Sequence, residues 1–216
     1  MRRWMLGLLL ALSTGLQAQP APGSPEDRLF QAIDEGKELV AEGLLLRARP
    51  KLDVRNADGE TVLHRAVEKG MKELVQALLK GGAGVRTRSE SGETPLHLGA
   101  LNADPAFVRM LLAAGADAKA RNDEGETPLF WAALSGNVAT AAALLGGGAD
   151  ANLADINGNR PLHAAADGGS PDMIRLLLAH SQDPKARNRA GRTAEDLAKE
   201  RGHSDVVRLL AVPPDR

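Results

Sequence analysis

Apolar and polar positions along this chain recur with a period of 33 residues. The segments GETVLHRAVEKG from Gly59, GETPLHLGALNA from Gly92 and GETPLFWAALSG from Gly125 align without gaps, and GNRPLHAAADGG from Gly158 and GRTAEDLAKERG from Gly191 continue the series. Leu63, Leu96, Leu129 and Leu162 fill one column, and Ala66, Gly99, Ala132, Ala165 and Ala198 another. A second apolar pair returns as Leu78-Leu79, Leu111-Leu112, Leu144-Leu145 and Leu177-Leu178. A blurred earlier copy runs through Leu29, Ala32, Gly36, Val40 and Leu44-Leu45. A fixed period of this length marks a stack of supersecondary units, each unable to bury its apolar face alone.

Within each copy the pattern predicts two helices. An Ala-rich helix of about two turns comes first, then a glycine turn, a second helix and a Gly-Ala-Asp loop. Residues 74–79 and 138–145 show apolar positions at helical spacing. Gly70, Gly136, Gly169 and Gly202 stand where the first helix needs a left-handed terminator. Pro95, Pro128 and Pro161 stand at first-helix starts, where a missing N–H costs nothing, and Thr61, Thr94 and Thr127 precede them in the N-cap column.

GETPLH, the small residue that follows, the Leu-Leu pair and the GADA loop resemble the ankyrin repeat family, over residues 25–212. The resemblance implies an all-α solenoid of stacked helix-turn-helix units, with β-turn fingers on one side and a concave helical face that holds partner proteins. It divides the chain into an N-terminal capping repeat at 25–57, full repeats at 58–90, 91–123, 124–156 and 157–189, and a C-terminal capping repeat at 190–212. The first copy lacks the TPLH core, and the last puts Glu195 where Leu is buried elsewhere. Both fit terminal units, whose outer faces must be polar. Arg160 replaces the capping Thr in the fourth full copy, and His180-Ser181-Gln182 replaces its Ala-Gly-Ala, so a weak point is expected there.

Composition adds an address. Arg2 and Arg3 precede a 13-residue apolar stretch at 4–16, and Ala18 ends the segment with a small residue. That is the layout of a secretory signal peptide cleaved before Gln19. The stretch spans about 20 Å as a helix, short of a hydrocarbon core of about 30 Å, so no stable membrane anchor is expected. Residues 19–24 read as a Pro-rich linker and 213–216 as a tail. The address is periplasmic, with release from the cell as the alternative.

The chain holds 27 Lys plus Arg, 28 Asp plus Glu, no Cys and five aromatics. The charge balance and the lack of stacking platforms argue against nucleic acid as a partner. No thiolate metal site or cysteine nucleophile is possible. No HExxH, GxSxG or phosphate-binding glycine motif occurs, so neither catalysis nor a cofactor is expected. His64, His97 and His163 share a column with Phe130. The family's repeat spacing of roughly 10 Å is too wide for one metal with ligands about 2 Å away. These imidazoles are expected to hydrogen-bond within and between repeats.

Two groups remain as candidate partner contacts. Arg55, Arg88, Arg121 and Arg187 form one column and Glu60, Glu93 and Glu126 another; the resemblance places both near the fingers. They are either mutually paired and solvated or, for Arg55, Arg88 and Arg121, contacts to an acidic strip on a partner. Leu98 and Leu101 share a helix face, with Trp131 and Leu134 in the same columns one repeat on. The flanking copies carry Arg65 and Glu68, or Ala164 and Asp167. An apolar centre with polar ends is the anatomy of an interface, with tryptophan as anchor; the other reading is that Trp131 and Leu98 seal repeat packing. The expected function is a non-enzymatic, monomeric protein-protein interaction module. The alternative is a protective or assembly factor for an exported stress-response enzyme.

Overall fold

The computed structural model describes residues 19–211, so the expected leader and the 213–216 tail lie outside the described residues. Twelve helices occur among the described residues, in six pairs. The first members are α1 (Pro25–Asp34), α3 (Val62–Glu68), α5 (Pro95–Leu101), α7 (Pro128–Ser135), α9 (Pro161–Gly168) and α11 (Ala194–Arg201). The second members are α2 (Glu38–Ala48), α4 (Lys72–Lys80), α6 (Ala106–Ala113), α8 (Val138–Gly146), α10 (Pro171–Leu178) and α12 (Ser204–Ala211). Each first helix packs on the next first helix and each second helix on the next second helix, giving an inner and an outer layer. One continuous core runs between them, from Leu29 and Ile33 through Leu63, Leu96 and Leu129 to Leu177 and Ala198.

The helix ends follow from local chemistry. Pro95, Pro128 and Pro161 open α5, α7 and α9. Gly70, Gly136, Gly169 and Gly202 adopt positive φ after the first helices. Ala103 occupies that column in one copy, and a side chain resists the left-handed region. There α5 instead ends at an extended Asn102, whose side chain accepts from the Asp104 N–H at 2.9 Å. Gly168 serves helix packing instead. A Cβ there would stand 2.6 Å from the Leu134 carbonyl, so its absence lets α9 close on α7.

The fingers are hydrogen-bonded turns. In the first, the Asn56 N–H donates to the Glu60 carbonyl at 2.9 Å and the Gly59 N–H to the Asn56 carbonyl at 3.1 Å. The Asn56 side chain also accepts from the Glu60 N–H at 2.9 Å. Successive fingers are then laced together. The N–H groups of Glu90, Asp123, Ile156 and Arg189 donate to the carbonyls of Asp58, Ser91, Glu124 and Asn157, at 2.9 to 3.0 Å. Gly59 has φ +73, and a Cβ there would lie 2.8 Å from the Glu90 nitrogen.

Three expectations are refined. The C-terminal unit has its polar outer face, with Glu195 paired to Lys185 at 2.8 Å and to Lys199 at 2.7 Å. The N-terminal unit is polar only along α1. Its α2 leaves Leu39, Val40 and Leu46 exposed, because the apolar residues of this helix go all round it. In the fourth full copy the finger is intact, with Asp155 N–H to Asn159 carbonyl at 2.9 Å. The loop and the cap differ there. The Gln182 N–H goes to Asn152 Oδ1 at 2.8 Å, where Ala83, Ala116 and Ala149 bond back to their own helix. The Arg160 N–H still reaches His163 Nδ1 at 3.1 Å, but a guanidinium has no oxygen to offer the helix.

Candidate protein-binding groove

The histidine column is built into the N-caps. His97 Nδ1 accepts from the Thr94 N–H at 3.1 Å and meets the Thr94 hydroxyl at 2.9 Å, while Nε2 reaches the Glu126 carbonyl of the next repeat at 3.1 Å. His64 does the same with Thr61 and the Glu93 carbonyl, and His163 with the Arg160 N–H and the Arg192 carbonyl. This requires a neutral ring, protonated on Nε2 only. Burial agrees, pushing His64 and His97 down to about 4 and His163 downward. The last described copy carries no histidine in this column. There Asp196 takes the column and supplies acceptance alone, from the Thr193 N–H at 3.0 Å and hydroxyl at 2.9 Å.

The arginine column also joins repeats. Arg55 donates to the Arg88 carbonyl, Arg88 to the Arg121 carbonyl at 2.7 Å, and Arg121 to the Ala154 carbonyl at 2.6 Å. Arg88 also pairs with Asp123 at 2.8 Å. Each guanidinium thus reaches the same column one repeat on. The row remains at the surface, with Arg55 partly exposed and Arg88 and Arg121 exposed, but part of its donor capacity is engaged within the stack.

Along the first helices lies the apolar patch. Leu101 on α5 and Leu134 on α7 are exposed by 51% and 46%, beside each other in consecutive repeats. Trp131 is half-buried, its ring edge-on to His97 at 5.4 Å and its Nε1 donating to Glu126 Oε2 at 2.7 Å. The two contacts hold one rotamer, so the ring is presented rigidly. Leu98 stands elsewhere than expected of a contact residue: only 9% of it is exposed, since it is part of the core. It therefore floors the patch rather than standing out of it. Glu126 belongs to the acidic column of Glu60 and Glu93, which marks it as a finger residue; its role in orienting the tryptophan is visible only in the fold.

The patch ends in charge. Toward the N-terminus Arg65 joins Asp34 at 2.6 Å and also pairs with Glu68. Toward the C-terminus Arg201 joins Asp167 at 2.7 Å and Arg192 joins Glu200 at 2.7 Å. Burial raises the Glu60 and Glu93 carboxyls above the usual range, and neighbouring acids add to this. No cluster of side chains able to hold a metal ion occurs among the described residues. No described helix is long and apolar enough to cross a membrane.

A family model described as ankyrin repeats in three copies matches residues 29–122 and 129–215, and one described as ankyrin repeats in many copies matches residues 104–145. No curated protein matches the chain.

Proposed function

Because the chain belongs to the ankyrin repeat family, whose members generally mediate protein-protein interaction and are typically non-enzymatic, we propose that it is an exported binding module. Its partner, a protein, docks across the patch on the first helices. The observation that carries this reading is the side-by-side exposure of Leu101 and Leu134 next to a rotamer-locked Trp131, bounded at both ends by ion-paired charge. Exposed apolar side chains cost free energy in water, and a contiguous group rimmed by polar residues marks an interaction surface.

The mechanism is rigid display. Histidine, arginine and backbone bonds run from each repeat to the next, so the surface is ordered before a partner arrives and binding loses little conformational entropy. Trp131, Leu134 and Leu101 are the anchors, with Leu98 beneath them. Arg55, Arg88 and Arg121 add polar contacts through donors left over from their inter-repeat bonds. The arginine-led leader directs the chain to the periplasm, where it acts as a monomer.

The test is affinity capture from the periplasmic fraction with the processed chain, beside Trp131→Ala and a Leu101→Asp, Leu134→Asp variant. Truncating a central tryptophan is expected to weaken binding by about 2 kcal/mol or more. The double variant alters exposed positions, so it keeps its thermal stability and loses the partner. Unchanged capture by both variants, with only Trp131→Ala less stable, would make the patch a packing feature and sink the proposal. Recovery of a single exported enzyme whose activity fails without this chain would favour the protective or assembly role. Mass spectrometry of the mature N-terminus checks the address: Gln19 supports export, and an intact Met1 in the cytoplasm refutes it.

A further inference from the structure

One carboxylate beside the patch lacks the counter-charge that its column carries elsewhere. In the first full repeat Glu60 lies 3.7 Å from Arg65, five residues on, and Arg65 also bridges Asp34 at 2.6 Å and Glu68. One repeat later the same two columns hold Glu93 and Leu98, and one further Glu126 and Trp131. Trp131 replaces the cation with an indole N–H, 2.7 Å from Glu126. Leu98 replaces it with hydrocarbon alone. Among the described residues no ion pair reaches Glu93. Burial raises its carboxyl, the Ser89 hydroxyl offsets part of this, and the charges of Glu126, Glu68 and Asp123 add to the rise.

On the reading that a protein docks across this patch, we propose that the segment seated there carries a lysine or arginine beside apolar residues, and that this cation stands against Glu93 as Arg65 stands against Glu60. Two features select this occupant. The first is the layout. Glu93 precedes α5 and Leu101 ends it, about 10 Å farther along, with Leu98 as the floor between them. A long basic side chain fits, because its aliphatic stem lies on the leucine floor while its head reaches the carboxylate. The second is the charge balance. Helices α5 and α7 carry no charged side chain. The three fingers beside them, RNADGE at 55–60, RSESGE at 88–93 and RNDEGE at 121–126, hold seven carboxylates against three arginines. Helix α3 with its C-cap adds Arg65 and Lys69 against Glu68, which leaves the excess negative. The arginines are also the committed members: Arg55, Arg88 and Arg121 donate to carbonyls one repeat on, and Arg65 is shared by three carboxylates. An acidic strip or an anionic lipid surface would meet that excess with like charge. The sign reverses only at the finger of 187–192, with Arg187, Arg189 and Arg192, two fingers beyond the one that orients Trp131.

The site therefore reads two properties a fixed distance apart: a positive head at the finger end of α5 and apolar side chains over Leu101 and Leu134. The cation meets a half-buried carboxylate, where opposite charges attract more strongly than at the open surface. An acid at that position of the segment is rejected by the same group.

Selection of random displayed peptides on the purified chain, its N-terminus measured first, tests the proposal, with fluorescence anisotropy on the enriched peptides. The Leu101→Asp, Leu134→Asp variant shows which peptides sit on the patch. Those peptides should share a lysine or arginine near an apolar residue. Glu93→Gln should weaken them about tenfold or more and should not weaken peptides whose basic residue is already alanine. The fold keeps its thermal transition, since Asn159 shows that this column accepts an amide. Glu93→Lys should in turn bind peptides whose basic residue is exchanged for glutamate. Patch-dependent peptides that share no cation, or that ignore Glu93→Gln, overturn the proposal and leave the docking reading standing. So do patch-dependent peptides rich in acids and weakened by Arg88→Ala. Self-association of the chain that is lost in the double aspartate variant also overturns it, assigning the patch to a second copy. If no peptide depends on Leu101 and Leu134, the docking reading itself fails and the proposal with it.

Discussion

Acid should weaken this stack through its histidines, by an amount that the caps allow to be worked out. His64 and His97 must be neutral in the fold, because each Nδ1 accepts a backbone N–H at 3.1 Å and a protonated ring has no acceptor to offer. Burial holds both at about 4, against an ordinary value of 6.5. In the unfolded chain they titrate at the ordinary value, so between those limits the unfolded state binds more protons and stability rises with pH. The contribution is complete above about pH 6.5 and is lost as pH falls toward 4. At pH 5 each ring has lost roughly 2 kcal/mol, and the pair roughly 4 kcal/mol. For a domain of this size that lowers Tm by roughly 8–16 °C. Glu60 and Glu93 act in the opposite sense: their raised carboxyls favour the fold as pH falls. A variant isolates the histidine part. Phe130 shows that this column accepts a phenyl ring, so His97→Phe should lower stability at pH 7 by losing its bonds, yet reduce the fall between pH 7 and pH 5 by roughly 2 kcal/mol. Urea unfolding followed by circular dichroism at the two pH values, at constant ionic strength, measures both. Equal losses in the parent and in His97→Phe would refute a neutral, buried imidazole as the source.

Two further substitutions probe the lacing of the stack. Gly59→Ala places a methyl against the Glu90 nitrogen at a positive φ and should cost about 2–3 kcal/mol. Gly191→Ala has the same backbone but open space, and should cost only about 1 kcal/mol of strain. Thermal melts of the two distinguish the inter-finger contact from the turn itself, and equal losses would show that the contact contributes nothing. Arg160→Thr should stabilise the chain by about 1 kcal/mol by completing the cap of α9. A denaturant midpoint at or below that of the parent would place the weak point of that copy elsewhere.

The period of 33 residues, read from Gly59 to Gly191, was enough to divide the chain into helix pairs and assign their order. Such a stack is built from near-neighbour contacts, so local patterning and the alignment of copies carry nearly all of its topology. The cap column could be read for the same reason: Thr, Pro and His act within one turn of where they stand. What required the tertiary structure was the direction in which long or ambiguous side chains turn. The arginine column alone does not separate a solvated surface from contacts to an acidic partner; in the fold Arg55, Arg88 and Arg121 each reach a carbonyl one repeat away, and only the finger spacing decides that. Leu98 and Leu101 lie three residues apart on one helix, yet one is core and the other half in solvent, because the next repeat covers only part of α5. Trp131 was divided between groove and core; Glu126 and His97 hold it between the two. In α2 Val40 falls in an apolar column of the repeat, while Leu39 and Leu46 stand where α4 carries Glu73 and Lys80. Only the packing of the described residues shows that all three are exposed.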